Sequence, residues 1–321
     1  RRDPAAAAAS GTISTAESDT DMEQIIAIDN VCAWPNLTLM RDGTVAAVVF
    51  NQANHGLTEG EAECWVSRDG GYLWEKAGVP VPHEPGENRM NVAAGLNAEG
   101  ELVALVSGWN RVAKEYRPGL RDRGEILAPV VSRSKDGGRT WIQEGVVEVP
   151  GADVIVPFGN IVPLGGGAIG VSVYGRKTGA SWAEGSSWFL RSGDGGRTWT
   201  NAVQIADDAA AAAGAGPDFL TETELLSFGD GTLLAAARTC PPEHIRLYRS
   251  EDDGGTWRFA GALTLPGQIP ANLLRLADGG YPAAVQLADG TVVLAYYANR
   301  VPYHHRYHMG VVRFRPEEVF G

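Results

Sequence analysis

The sequence predicts an all-β chain folded as a six-bladed β-propeller of four-stranded antiparallel blades, and three observations lead there. One short turn recurs four times, as SRDGGYLW from Ser67, SKDGGRTW from Ser134, SGDGGRTW from Ser192 and SEDDGGTW from Ser250. Its aspartates, Asp69, Asp136, Asp194 and Asp252, are spaced by 67, 58 and 58 residues. Between the copies lie hairpins built on a glycine turn: MRDGTVAAVVF, NAEGELVALVS, LGGGAIGVSVY, FGDGTLLAAAR and LADGTVVLAYY. Runs with helical periodicity are absent, and a repeat of about 60 residues carrying four strands is the signature of a propeller blade.

Each unit reads strand, glycine turn, strand, loop, strand, Asp-rich turn, strand. In the Asp-rich turn the carboxylate can accept backbone N–H groups a few residues on, glycine supplies positive φ, and the Ser and Thr hydroxyls close the knot. The tryptophan that follows begins the return strand as an apolar plug between sheets. These aspartates therefore read as structural. The hairpin glycines Gly43, Gly100, Gly166 and Gly231 are spaced by 57, 66 and 65 residues, whereas Gly279 and Gly290 are only 11 apart. PANLLRLADG thus reads as half of a hairpin whose return strand is missing, which makes the fifth of six blades incomplete. The alternative is five blades with Leu273–Gly279 as an extra strand. Residues 1–20 read as a flexible tail, residues 21–321 as one propeller domain, and Ala209–Ala213 as part of a surface loop.

Composition narrows the partners. The 321 residues are 44% apolar, enough for a sizeable core, and the net charge of −12 comes without a Lys/Arg cluster. That excludes nucleic acid and an anionic membrane surface as expected partners. No apolar run reaches the ~18 residues of a membrane span, so a soluble protein is expected. Cys32, Cys64 and Cys240 have no metal spacing and read as small buried residues. The opening RRDPAAAAASG resembles a processed start, and an extracellular or periplasmic location is expected. In VPYHHRYHMG, strand alternation puts His304 and His308 on one face and His305 on the other, without a third ligand nearby. No metal or cofactor is expected, and these rings read as stacking at a pocket mouth or packing.

The four turns, of the form S-x-D-x-G-x-T-W with Leu73 at the threonine position of the first, resemble the Asp-box or BNR propellers of the sialidase (neuraminidase) superfamily, and the resemblance runs from about Val31 onward. A propeller carries its site on the axis, where the innermost strands begin. Here those starts are CAWPNLTL, NRMNVAAG, FGNIVPL, TETELLSF and GYPAAVQL, which offer Trp34, Arg89, Asn91, Glu222, Glu224 and Tyr281. TETELLSFGDGTLLAAAR is similar to a sialidase segment with a glutamate nine residues before the hairpin glycine and an arginine seven after it. The resemblance makes Glu222 the base for a tyrosine nucleophile and Arg238 a member of a triad that grips the substrate carboxylate. GYPAAVQL resembles the segment carrying that tyrosine, and Tyr281 holds the position. A phenol of pKa about 10 needs such a carboxylate to take its proton.

Blade one departs from the family. Its Arg-Ile-Pro becomes Ala33-Trp34-Pro35, so the first triad arginine is missing, and the third would lie in the incomplete blade. Arg89 is the available substitute, its plainer role being a loop arginine paired with Glu87 or Glu84. The family's acid, a loop aspartate of blade one, is replaced by Glu59 or His55 in NHGLTEGEAECWV. The resemblance implies an exo-acting glycoside hydrolase on an acidic oligosaccharide or glycoconjugate, poor on ordinary sialosides. A uronate lyase and a non-catalytic glycan-binding propeller are the alternatives.

Overall fold

The structure is a computed structural model that describes residues 23–32, 34–181, 185–206, 219–240, 244–266, 280–299, 301 and 304–316, with backbone alone at 219, 240, 264–266 and 280–282. Among the described residues, the twenty strands form five antiparallel four-stranded units. The first is β2 (Asn36–Leu39), β3 (Val45–Phe50), β4 (Ala62–Ser67) and β5 (Glu75–Gly78). The second is β6 (Asn91–Leu96), β7 (Leu102–Ser107), β8 (Val130–Ser134) and β9 (Ile142–Val146). The third is β10 (Ala152–Pro163), β11 (Ile169–Lys177), β12 (Gly185–Ser192) and β13 (Thr200–Gln204). The fourth is β14 (Phe219–Ser227), β15 (Leu233–Cys240), β16 (His244–Ser250) and β17 (Arg258–Pro266). The fifth joins β18 (Gly280–Gln286), β19 (Val292–Ala298) and β20 (His308–Phe314) to β1 (Glu23–Asp29) from the other end of the chain. The expected remnant of a further blade at Leu273–Gly279, the tail at 1–20 and Ala209–Ala213 lie outside the described residues.

Burial explains the sequence pattern of each unit. β3 (VAAVVF) and β7 (LVALVS) are buried at every position, because the second strand is covered on both faces. Such a strand reads as a continuous apolar run rather than an alternation. The outermost β9 is exposed throughout. Each Asp-box tryptophan packs where expected: Trp74, Trp141, Trp199 and Trp257 each join an apolar cluster of the core.

The boxes share one geometry. The serine hydroxyl donates to the aspartate at 2.8 Å in all four, and accepts the N–H of Gly71, Gly138, Gly196 or Gly254 at 2.8–2.9 Å. Where three boxes have glycine at the first left-handed position, the fourth has Asp253, at φ +55. Aspartate tolerates that region. Its carboxylate accepts the Gly165 N–H at 3.2 Å, tying the fourth unit to the hairpin of the third.

Two units also join through their inner strands. β10 pairs in parallel with β6, with Gly159 opposite Ala93, Asn160 opposite Ala94 and Ile161 opposite Gly95. A Cβ on Gly95 would stand 2.3 Å from the Ile161 carbonyl oxygen, so only glycine permits this approach.

Candidate functional site

A cavity of about 260 Å³ opens where the inner strands begin, and all five units contribute to its wall. They supply Trp34, Pro35 and Asn36, then Met90 to Val92, then Val156 to Asn160, then Glu222 and Glu224, and finally Ala283. The loops add His55, Trp109 and Arg123, and β11 adds Tyr174.

β14 provides the two carboxylates. Its register against β15 shifts between Leu220 and Thr223, and both Glu222 and Glu224 border the cavity. Thr223, between them, turns to the other side, where its hydroxyl meets Ser187 Oγ at 2.9 Å. Ser187 Oγ also donates to the Thr221 carbonyl at 3.0 Å, and Ser172 Oγ donates to the Thr223 carbonyl, so β14 is held from β11 and β12. Arg238 Nη1 donates to Glu222 Oε2 at 2.5 Å.

Glu224 has a different environment. It is 6% exposed and lies beside Gly159, whose φ of +76 leaves the space a Cβ would take, 2.5 Å from Glu224 Oε2. Burial pushes its carboxyl up to about 8, and the Asn160 N–H, which donates to Oε1 at 3.3 Å, only partly offsets this. Asn36 completes this side by donating from Nδ2 to the Gly159 carbonyl at 2.7 Å.

Another part of the wall is aromatic and cationic. Trp34, held at φ +38, meets the His55 ring edge-on with centroids 4.4 Å apart and Tyr297 at 6.1 Å. Arg123 lies over the Trp109 ring at 4.7 Å, a cation–π contact, and donates to the His55 carbonyl at 3.3 Å. His55 keeps one side in solvent. Desolvation and then the Arg123 charge hold it below its ordinary value, at about 4, so it is neutral at pH 7. Tyr297, on β19, is pushed up by burial first and then by Cys32, Tyr307 and the Glu222 carboxylate.

Of the residues expected from the sequence, Glu222, Glu224, His55, Trp34 and Asn91 line the cavity, and Arg238 reaches it through Glu222. Asn91 is held by its Nδ2 donating to Ser107 Oγ at 3.3 Å. Glu59 and Arg89 are not in the wall. Glu59 Oε1 accepts the Gly86 N–H at 2.8 Å, and Arg89 pairs with Glu87 at 2.9 Å, the plainer of its two roles. The backbone of Tyr281 lies in β18, while its side chain, like the whole of Ala33, is outside the described residues. His304 bonds Asp29 at 2.7 Å rather than standing at the cavity mouth, and its ring lies 4.7 Å from that of His308. Among the described residues, no three His, Cys, Asp or Glu side chains are grouped to hold a metal ion. Cys32 and Cys64 are buried, with thiols pushed up to about 12 by desolvation. Cys240 has no described side chain.

Sequence reasoning missed Arg123, Trp109, Tyr174 and Asn160. The first two belong to a long connection without periodicity, where the only cue was an arginine and a tryptophan in GWNRVAKEYRPGLRDRG.

Comparison with known proteins agrees with this architecture. A protein of unknown function from Dyadobacter fermentans superposes with a TM-score of 0.69 at 19% identity, over 90% of this chain and 97% of that one. Trypanosoma rangeli sialidase in complex with sialic acid gives 0.62 at 14% identity, over 95% of this chain and 58% of that one. A Hadza microbial sialidase, Hz136, gives 0.57 at 16% identity, over 84% and 53%. This chain therefore spans little more than half the length of those two sialidases. No curated protein matches the sequence. Residues 43–319 match the BNR repeat-like domain, and the chain belongs to that family, with the fold of the sialidases.

Proposed function

We propose that the protein is a sialidase-like, exo-acting glycoside hydrolase that removes an acidic sugar from a glycan at this cavity. We place the cavity on the axis of a propeller closed by the pairing of β1 with β20, and the enzyme with its glycoconjugate substrate outside the cytoplasm. The observation that carries the proposal is the Glu222–Arg238 pair at the cavity wall, on the strand-start glutamate and return-strand arginine of the fourth unit. Glu222 is the base that takes the proton of the Tyr281 phenol, and the phenolate oxygen attacks the anomeric carbon. Arg238 holds Glu222 in place and, with Arg123 from the cavity wall, supplies positive charge to the acidic group of the sugar. Trp34 and Trp109 offer apolar faces to the ring carbons.

The test is release of 4-methylumbelliferone from its glycosides with N-acetylneuraminic acid, 3-deoxynonulosonic acid and glucuronic acid. Cleavage of at least one acidic glycoside is expected, with poor turnover of the ordinary sialoside because Ala33 replaces a carboxylate-binding arginine. Tyr281→Phe lowers turnover by orders of magnitude and leaves folding unchanged. No release from any of the three would overturn the proposal. The aromatic wall of Trp34, Trp109 and Tyr174 favours one other reading, a glycan-binding propeller, which would bind an acidic glycan without forming product.

A further inference from the structure

We infer that Glu224 is the general acid of this site, the group that protonates the departing glycosidic oxygen, an assignment that rests on the hydrolase reading above. An acid must meet three conditions: it borders the space where the bond breaks, it holds a proton at working pH, and no cation pins it as an anion. Neither residue the sequence offered for the role meets them. Glu59 is bonded to the Gly86 N–H outside the cavity wall, and His55 is a neutral imidazole at pH 7 with no proton of sufficient acidity. Glu224 meets all three.

It lines the same cavity as Glu222, two residues away on β14. The groups facing it are few. From its own strand comes Glu222, whose charge is matched by Arg238 on β15. β10 presents Gly159 and Asn160, β2 presents Asn36, and β18 presents Ala283, none of them ionisable. Tyr174 on β11 and His55 and Arg123 from the loops are the other titratable or charged groups in the wall. No ion pair to Glu224 occurs among the described residues. Burial without a cation keeps the carboxyl protonated up to about pH 8, while its neighbour is held against a guanidinium. Of two carboxyls in one cavity, the buried one without a cation is suited to give a proton and the one held by a guanidinium to take one.

The steps balance. Glu222 takes the phenol proton as Tyr281 Oη bonds to the anomeric carbon. The bond from that carbon to the leaving oxygen breaks, and the Glu224 proton passes to that oxygen. Water then gives one proton to the Glu224 carboxylate as its oxygen replaces Tyr281 on the anomeric carbon, and Glu222 returns its proton to the phenolate.

The experiment compares wild type with Glu224→Gln on two glycosides of the sugar found to be cleaved, one with a 2,4-dinitrophenyl and one with a methyl leaving group. The good leaving group needs no proton, so its kcat/KM falls less than about tenfold, while the methyl glycoside loses roughly 100- to 10,000-fold. The alkaline limb of the wild-type pH profile, near pH 8, disappears in the variant. Equal losses on both glycosides, or a retained alkaline limb, would overturn the acid assignment and leave the hydrolase reading standing. Absence of cleavage of any acidic glycoside by wild type would overturn both. Should the variant not fold, infrared spectra of the wild type decide: a protonated carboxyl band at pH 7 that titrates away near pH 8 is expected, and its absence overturns the assignment.

Discussion

Arg238 Nη1 stands 2.5 Å from Glu222 Oε2, joining β15 to the start of β14 at the cavity wall. Both partners are largely shielded from solvent, so the pair is not one of the loosely held surface contacts that contribute little. Removing the guanidinium leaves a carboxylate near the cavity with its cation gone, and that loss is what makes the position sensitive.

Arg238→Ala is therefore expected to lower kcat/KM by on the order of 30-fold to several thousand-fold, equivalent to about 2–5 kcal/mol. Arg238→Lys restores only part, because an ammonium cannot reproduce the planar geometry of the guanidinium. Steady-state kinetics on the cleaved glycoside checks both. Full activity in the lysine variant would mean that charge alone matters.

Glu224 makes stability depend on pH in an unusual direction. Its folded pKa of about 8 lies above its ordinary 4.5, so between those values the folded chain holds a proton that the unfolded chain releases. The stabilisation from this group is complete below pH 4.5, declines as pH rises and is gone above about 8. At about 1.4 kcal/mol per unit, the span is on the order of 4–5 kcal/mol as an upper bound. Glu224→Gln removes that slope. Urea denaturation at pH 5, 6.5 and 8 should show the variant gaining on wild type as pH rises, and parallel curves would refute the prediction.

Gly159→Ala strains the backbone and the cavity together. An L residue at φ +76 is disfavoured, and its Cβ would collide with Glu224 Oε2. A loss of about 1–3 kcal/mol is expected, with a larger fall in turnover than in melting temperature, because the displaced group belongs to the site. An unchanged kcat/KM would show that Glu224 can move without consequence.

The Asp-boxes govern stability instead. Despite burial, which works the other way, the Thr198 N–H and hydroxyl and the Ser192 hydroxyl hold Asp194 down at about 2, below its ordinary 3.8. The stabilisation is present above pH 3.8 and is lost as pH falls through 2. Asp194→Ala is expected to cost roughly 1–3 kcal/mol by leaving several donors unpartnered, while kcat/KM stays near wild type, since no box residue lines the cavity. Calorimetry and kinetics on one preparation separate the two effects.

The turns and strand runs were legible in the sequence because their causes are local. Ser67, Asp69 and Gly71 form their knot within five residues, and the apolar runs VAAVVF and LVALVS already announce strands covered on both faces. The starts of the inner strands were legible for the same reason, since each precedes a hairpin of fixed length. Glu222 and Glu224 could thus be placed at the cavity before any coordinates. What they do there was decided by contacts across the chain. Glu224 owes its retained proton to burial, which outweighs the Asn160 N–H, and the segment that packs beside it, Gly159 and Asn160, lies about 65 residues earlier on β10, the strand paired in parallel with β6. Arg123 and Trp109 enter the wall from a long connection whose path is set by what it packs on, and not by any period of its own. Arg89 and Glu59 occupy promising sequence positions, yet a nearby carboxylate and a backbone N–H satisfy them outside the wall. Backbone conformation follows from steric and hydrogen-bonding preferences within a few residues. The ionisation and reach of a side chain depend on burial and field, which exist only once distant segments have packed.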